Sequence, residues 1–234
     1  MKGVFSMSII YFIIGSVMGS FLCLVAERVP ANQSIVRPAS HCTYCQTKLK
    51  MVELIPIVSI LCLGFRCRYC KCKLSYVYFF SELICGSLCF YVLLEAVHPV
   101  YSLFFLLMAV VLSLTDLLYL IVEPRLFYIG SILLCIGHIY LAFPFYLFTS
   151  LILFIGLQIL NYIFPDSVGG GDILLLTVWG LFLGGEAIIF LLFIASSSGL
   201  LFLFISQYIL KKTIRQLPFV PFLSIGLFFV LIWK

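Results

Sequence analysis

Long apolar runs, broken by short charged or proline-containing interruptions, dominate this chain. A helix needs roughly 20 mostly apolar residues to cross the hydrocarbon of a bilayer. The interruptions leave about eight runs of that order: 5–26, 75–94, 100–119, 126–143, 146–164, 173–185, 187–209 and 217–233. The sixth is short, and only Phe143 and Pro144 separate the fourth from the fifth. The pattern predicts an all-α polytopic membrane protein with about eight transmembrane helices. Composition agrees: 64% of residues are hydrophobic and 10% charged, far from the balance of a soluble domain. The first run competes with a cleavable signal peptide. It is long for one, and Gly15, Ser16, Gly19 and Ser20 suit close packing between membrane helices, so it is expected to be retained.

Residues 27–74 are the exception, a polar stretch large enough for a small extramembrane module. The chain is accordingly expected to comprise a first transmembrane helix (1–26), a cysteine module (27–74) and a second transmembrane region (75–234). The module carries Cys42, Cys45, Cys67 and Cys70, two CxxC pairs separated by 21 residues. That spacing is close to the paired knuckles of a structural zinc site, each pair supplying two thiolates to one tetrahedral metal. A module of this size has a small core and benefits from such a staple. Cys72 and His41 are spare ligands, whereas Cys23, Cys62, Cys85, Cys89 and Cys135 lie in apolar sequence and are expected to be small buried residues. The apolar stretch Leu54–Leu63, interrupted by Pro56, is too short to cross. It is expected to form the hydrophobic side of the module or to rest on the membrane surface.

Charge orients the chain. Of 14 Lys and Arg, eight fall between the first two runs: Arg28, Arg37, Lys48, Lys50, Arg66, Arg68, Lys71 and Lys73. The positive-inside rule puts that loop in the cytosol. Counting crossings from there, Arg125, Lys211, Lys212 and Arg215 also fall inside, and Lys2 and Lys234 outside. The net charge of +5 is then a topology signal, and nucleic acid is not expected as a partner.

Only three aspartates occur, and Asp116 and Asp172 stand at the ends of apolar runs, where a carboxylate is costly and functional by default. The crossing count places both at the cytosolic side. Two carboxylates a few ångströms apart cannot both ionise easily and titrate as a unit, the machinery of an aspartic protease. One acts as base on a water while the protonated partner donates to the scissile carbonyl. Taken alone, Asp116 also fits a helix-terminal carboxylate reaching the interface. Asp172 closes the run Gly169, Gly170 and Gly171, expected to be a loop that lets a bound peptide approach the backbone. Asp166 is a capping residue or a reserve candidate. No HExxH helix or GxSxG elbow is present, and His41, His98 and His138 offer no catalytic set. From the residues alone, a polytopic scaffold or small transporter with a zinc module is the rival reading, although both acids map to one end and no internal repeat is evident.

Five segments, in order, resemble the type IV prepilin peptidases, membrane aspartic peptidases of the bacterial plasma membrane. Gly19-Ser20-Phe21-Leu22 followed by Arg28-Val29-Pro30 resembles the family's GSFLN...R.P start. The cysteine stretch 40–70 with Ser81-Glu82-Leu83 resembles its cysteine domain and following helix. Gly169-Gly170-Gly171-Asp172 fits GxGD, and Pro218-Phe219-Val220-Pro221-Phe222-Leu223 resembles the closing segment. The resemblance implies that Asp116 and Asp172 are the catalytic pair. It implies prepilin or pseudopilin substrates whose basic leader stays cytosolic and is cut off after a glycine. Glu27, Glu53 and Glu82 are candidates to attract that leader, with packing or ion-pair roles equally open. It further implies, for many members, N-methylation with S-adenosylmethionine, for which this chain shows no GxGxxG loop of its own. Two departures stand out. Val122-Glu123-Pro124-Arg125 replaces the family's Ile-Pro-Asp turn, and Leu174 replaces a lysine two positions after Asp172.

Overall fold

Eight long helices occupy the eight apolar runs in the computed structural model, which describes residues 2–165, 167–209 and 216–233. Asp166, Lys211, Lys212, Arg215 and Lys234 lie outside the described residues. The elements are α1 (Lys2–Arg28), a short 3-10 turn (Met51–Leu54), α2 (Val58–Cys62), α3 (Tyr76–Glu95), α4 (Pro99–Tyr119), α5 (Pro124–Tyr140), α6 (Leu147–Ile163), α7 (Gly170–Leu183), α8 (Gly185–Phe204, continued by a π turn over Ile205–Ile209) and α9 (Val220–Trp233). Four are long and apolar enough to cross a membrane: α1, α3, α4 and α8 with its π turn. The other four long helices are also apolar but have only 14–17 residues.

Local chemistry sets the boundaries. Ser75 caps α3, its hydroxyl accepting the Val77 N–H at 3.2 Å. Pro124 opens α5 at the first helical position, where a missing N–H costs nothing. Gly184 alone separates α7 from α8, with φ +84°, a conformation that only glycine takes without strain.

The chain divides into two compact units, 1–103 and 104–234. In the first, α1 packs closely along α3. Gly15 lies against the Cys85 carbonyl, and a Cβ on Gly19 would sit 2.5 Å from the Ser81 carbonyl. Small residues let the two backbones approach, the usual device where lipid removes the hydrophobic drive for helix pairing. Cys23, Cys85 and Cys89 are buried, as expected. Cys62 is exposed and Cys135 only partly covered: apolar sequence around a cysteine in a membrane protein can mark a lipid-facing surface as readily as a core.

In the second unit, Phe105 of α4 meets Trp179 and Phe182 of α7 edge-on. The Ser113 hydroxyl lies 2.7 Å from that of Ser224, tying α4 to α9. His138 stands in the last turn of α5. Buried among Phe143, Phe145 and Phe182, its Nε2 lies 3.1 Å from the Pro144 carbonyl. It fastens the α5–α6 turn and is structural.

Candidate active site and cysteine cluster

Asp116 sits in the last turn of α4, which stops there because Leu120 turns into the left-handed region, its N–H closing on the Asp116 carbonyl at 2.9 Å. The side chain is buried. Its Oδ2 accepts the Val220 N–H at 3.0 Å, and the Phe219 N–H lies within electrostatic reach of the carboxylate. These are donors at the start of α9, which every helix leaves without partners of its own. The remaining accounts close. Pro221 has no N–H, and the N–H groups of Phe222 and Leu223 reach the Phe219 carbonyl at 3.0 and 3.2 Å. The closing segment therefore serves as a fixed cradle for one oxygen of Asp116.

Asp172 occupies the first turn of α7, where the helix dipole favours an acid. It is half-buried and within electrostatic reach of Asp116. Among the described residues none donates a hydrogen bond to its carboxylate. The two acids thus stand within electrostatic reach of each other, Asp116 against the start of α9 and Asp172 in the first turn of α7.

The glycine run differs from the expected loop. Gly170 and Gly171 are already helical, and none of the three has a positive φ. The three glycines differ in their surroundings. A Cβ on Gly169 would lie 3.2 Å from Asp172 Oδ2, one on Gly171 would lie 2.8 Å from Val122 Cβ, and one on Gly170 would meet nothing. Close contact between Gly171 and Val122 seats the start of α7 on the α4–α5 turn, with Asp172 within electrostatic reach of Asp116. Gly171→Ala is expected to destabilise by about 1–3 kcal/mol through overpacking. Gly170→Ala should be neutral or stabilise by about 0.5–1 kcal/mol. Thermal unfolding in detergent checks both. Leu174, in place of the family's lysine, is exposed.

The four cysteines converge in the first unit, with all Sγ atoms within 4.8 Å of one another, a group that can hold a metal ion. The knuckles are copies at an offset of 25 positions, Cys42 to Cys67. Cys42 N–H to the Thr47 carbonyl (3.0 Å) matches Cys67 N–H to the Cys72 carbonyl (2.9 Å). Gln46 and Lys71 turn with φ of 56° and 59°, and bridges His41–Lys48 and Arg66–Lys73 close each loop. Cys42 and Cys70 sulfurs are 3.8 Å apart. Four sulfurs about 2.3 Å from a central zinc would be about 3.8 Å apart, so the donor set fits that metal. Hydrogen bonds from the Thr47 hydroxyl and N–H pull the Cys45 thiol down to about 6. The Cys70 N–H lowers Cys67. Both favour the thiolate that a metal binds. His41 turns to the Ala39 carbonyl, and neither it nor Cys72 belongs to the group.

The candidate leader-binding acids are engaged elsewhere. Glu82 is buried and accepts the Ile57 N–H, Glu53 pairs with Arg68 at 3.6 Å, and Glu27 accepts from the Tyr78 hydroxyl. None of these contacts, nor the cradle at Asp116, is visible in the sequence, since each joins residues far apart along the chain.

Residues 13–96 match the family model of the bacterial peptidase A24 N-terminal domain. The prepilin leader peptidase/N-methyltransferase of Bacillus subtilis (strain 168) is 28% identical over 227 residues, 93% of this chain and 90% of that protein. The family model and the relatives together support a type IV prepilin peptidase. The same-named protein of Myxococcus xanthus (strain DK1622) is 32% identical over 82% of this chain and 61% of its own length. The type 4 prepilin-like proteins leader peptide-processing enzyme of Escherichia coli O78:H11 is 26% identical over 91% and 88%. No solved structure matches the chain. The matched family model covers most of α1, the cysteine module and all of α3, while both aspartates lie beyond it.

Proposed function

We propose that this protein removes the short basic leader of type IV prepilins or pseudopilins at the cytosolic face of the bacterial plasma membrane, with Asp116 and Asp172 as its catalytic dyad. The placement of these two carboxylates at the starts of α9 and α7, within electrostatic reach of each other, supports the reading. The cradle holds Oδ2 of Asp116, which leaves its other oxygen to take a proton from water as that water attacks the scissile carbonyl. Asp172, protonated, donates to the carbonyl oxygen. On collapse of the tetrahedral intermediate, Asp116 returns its proton to the leaving amine and Asp172 takes back the proton it lent as the carbonyl re-forms. Gly169–Gly171 is the approach for the peptide backbone, with Gly170 the uncovered position. This chemistry resides in 75–234, and Cys42, Cys45, Cys67 and Cys70 hold a structural zinc in the cytosolic module. The eight long helices cross the bilayer in the orientation that the basic residues favour. The relatives' names also carry N-methylation, and the new pilin amino terminus would be methylated from S-adenosylmethionine.

Co-expression with a prepilin tests the dyad. With Asp116→Asn or Asp172→Asn the pilin should keep its precursor size, and wild-type cleavage by both variants would sink the assignment. The mass of the mature pilin amino terminus reads methylation separately.

A further inference from the structure

We propose that the stretch Met51–Leu61 of the cysteine module is an interfacial segment, inserted among the lipids at the cytosolic edge of the bilayer and anchored there by Glu82. The first observation is what the stretch shows to its surroundings. Met51, Val52, Leu54, Ile55, Val58 and Leu61 are all exposed, Met51 at 88%, and only Ile60 turns inward. A contiguous apolar surface of this kind marks an interaction site. The one charge inside it, Glu53, is turned back onto the Lys50 N–H at 2.8 Å and onto Arg68.

Depth identifies the occupant. Glu82 Oε2 accepts the Ile57 N–H at 2.6 Å, and Ser20 of α1 is within electrostatic reach of the same carboxyl group. Glu82 lies six residues into α3 and Ser20 eight residues before the end of α1. At 1.5 Å per residue, these are about 9 and 12 Å down from the helix ends. The stretch therefore lies alongside the helices, not above them. With 20 residues, α3 is about as long as the hydrocarbon is thick, so its first two turns stand in the outer part of the bilayer. An amphipathic segment in the interface sinks its apolar face by about 5–10 Å, the same depth. Tyr76, Phe80 and Ile84, at this level of α3, are likewise exposed. On either side of the stretch, exposed Lys48, Lys50, Arg66 and Arg68 suit anionic headgroups.

Anchoring explains two oddities. Glu82 is a buried carboxylate two turns inside a membrane helix, and Ile57 is a β-branched residue with φ +62°. Such a backbone is a genuine outlier that persists only where its surroundings hold it. The Ile57 N–H accepted by Glu82 turns the chain sharply between the 3-10 turn and α2, pointing the apolar side chains of both away from the helix pair.

Tryptophan emission in nanodiscs of phosphatidylcholine and phosphatidylglycerol tests the proposal with the full chain. Val58→Trp and, as control, Tyr44→Trp on the first knuckle each replace an exposed residue. Emission added over the parent protein is read with and without bromine on the lipid acyl chains. Brominated lipid should remove most of the emission added by Val58→Trp and little of that added by Tyr44→Trp. Emission from Val58→Trp that ignores brominated lipid but is quenched by aqueous iodide would place the stretch in water, overturning the proposal and leaving a soluble partner as the occupant. Adding Glu82→Ala to Val58→Trp should abolish most of the lipid quenching, and Glu82→Gln, which still offers an oxygen to Ile57, should retain it. Equal quenching in all three would remove Glu82 from its anchoring role. Neither readout depends on peptidase activity.

Discussion

Asp116→Asn should give a protein as stable as the parent in which prepilin cleavage falls by about 10²- to 10⁴-fold or more, the range attributed to a positioned acid or base. The cradle is what separates folding from chemistry at this residue. Oδ2 serves α9 by accepting the Val220 N–H at its start, and the amide oxygen of asparagine accepts it equally well. An amide cannot take a proton from water, so catalysis is lost while the helix start stays satisfied. Asp116→Ala should be inactive too and in addition lose about 1 kcal/mol, the usual effect of removing an N-terminal cap. Asp172 has no such second duty, so Asp172→Asn and Asp172→Ala should unfold at the same temperature as each other. Cleavage assays beside thermal unfolding in detergent decide the matter. If Asp116→Asn unfolds as early as Asp116→Ala, the cradle is not what the carboxylate supports.

Much of this was legible in the sequence because membranes simplify the reading. Eight apolar runs became eight long helices, with ends moved by a few residues, since a lipid-facing backbone must satisfy its hydrogen bonds within the helix. Gly15 and Gly19 carried their own packing role, as small residues four apart on one helix face. The CxxC spacing announced a four-thiol group that the folded knuckles then form. What pattern could not carry was the reason for individual residues at the site. Three consecutive glycines suggest a flexible turn, yet here Gly171 is constrained by Val122, Gly169 lies beside the Asp172 carboxylate and Gly170 faces open space. Pro218 and Pro221 suggest a helix start but not that Asp116, about a hundred positions earlier, accepts its Val220 N–H. Glu82 offered a charge for a leader peptide, but burial on Ile57 makes it a structural acceptor.

Purified protein should carry about one zinc per chain, and replacing any one of Cys42, Cys45, Cys67 or Cys70 by serine should abolish most of it. The loss should not be graded by knuckle, because the two halves repeat the same hydrogen bonds and each contributes one buried and one partly exposed cysteine. Structural zinc is worth roughly 10–16 kcal/mol in small peptide sites, far more than the few apolar contacts within a stretch of this size can supply. Removing it with a chelator should therefore open the knuckles, whose Leu49–Ser40 and Leu74–Phe65 closures have little else to hold them. Packing of α1 on α3 through Gly15 and Gly19 does not involve the cysteine ligands and should persist. Limited trypsin digestion reads the difference, since Lys48, Lys50, Arg66, Arg68, Lys71 and Lys73 lie on the knuckles or between them. Cuts should appear there after chelation and be suppressed when zinc is restored. Metal-free protein that resists trypsin equally well, and cleaves prepilin with all four cysteines changed to serine, would show that the thiols pack without a metal.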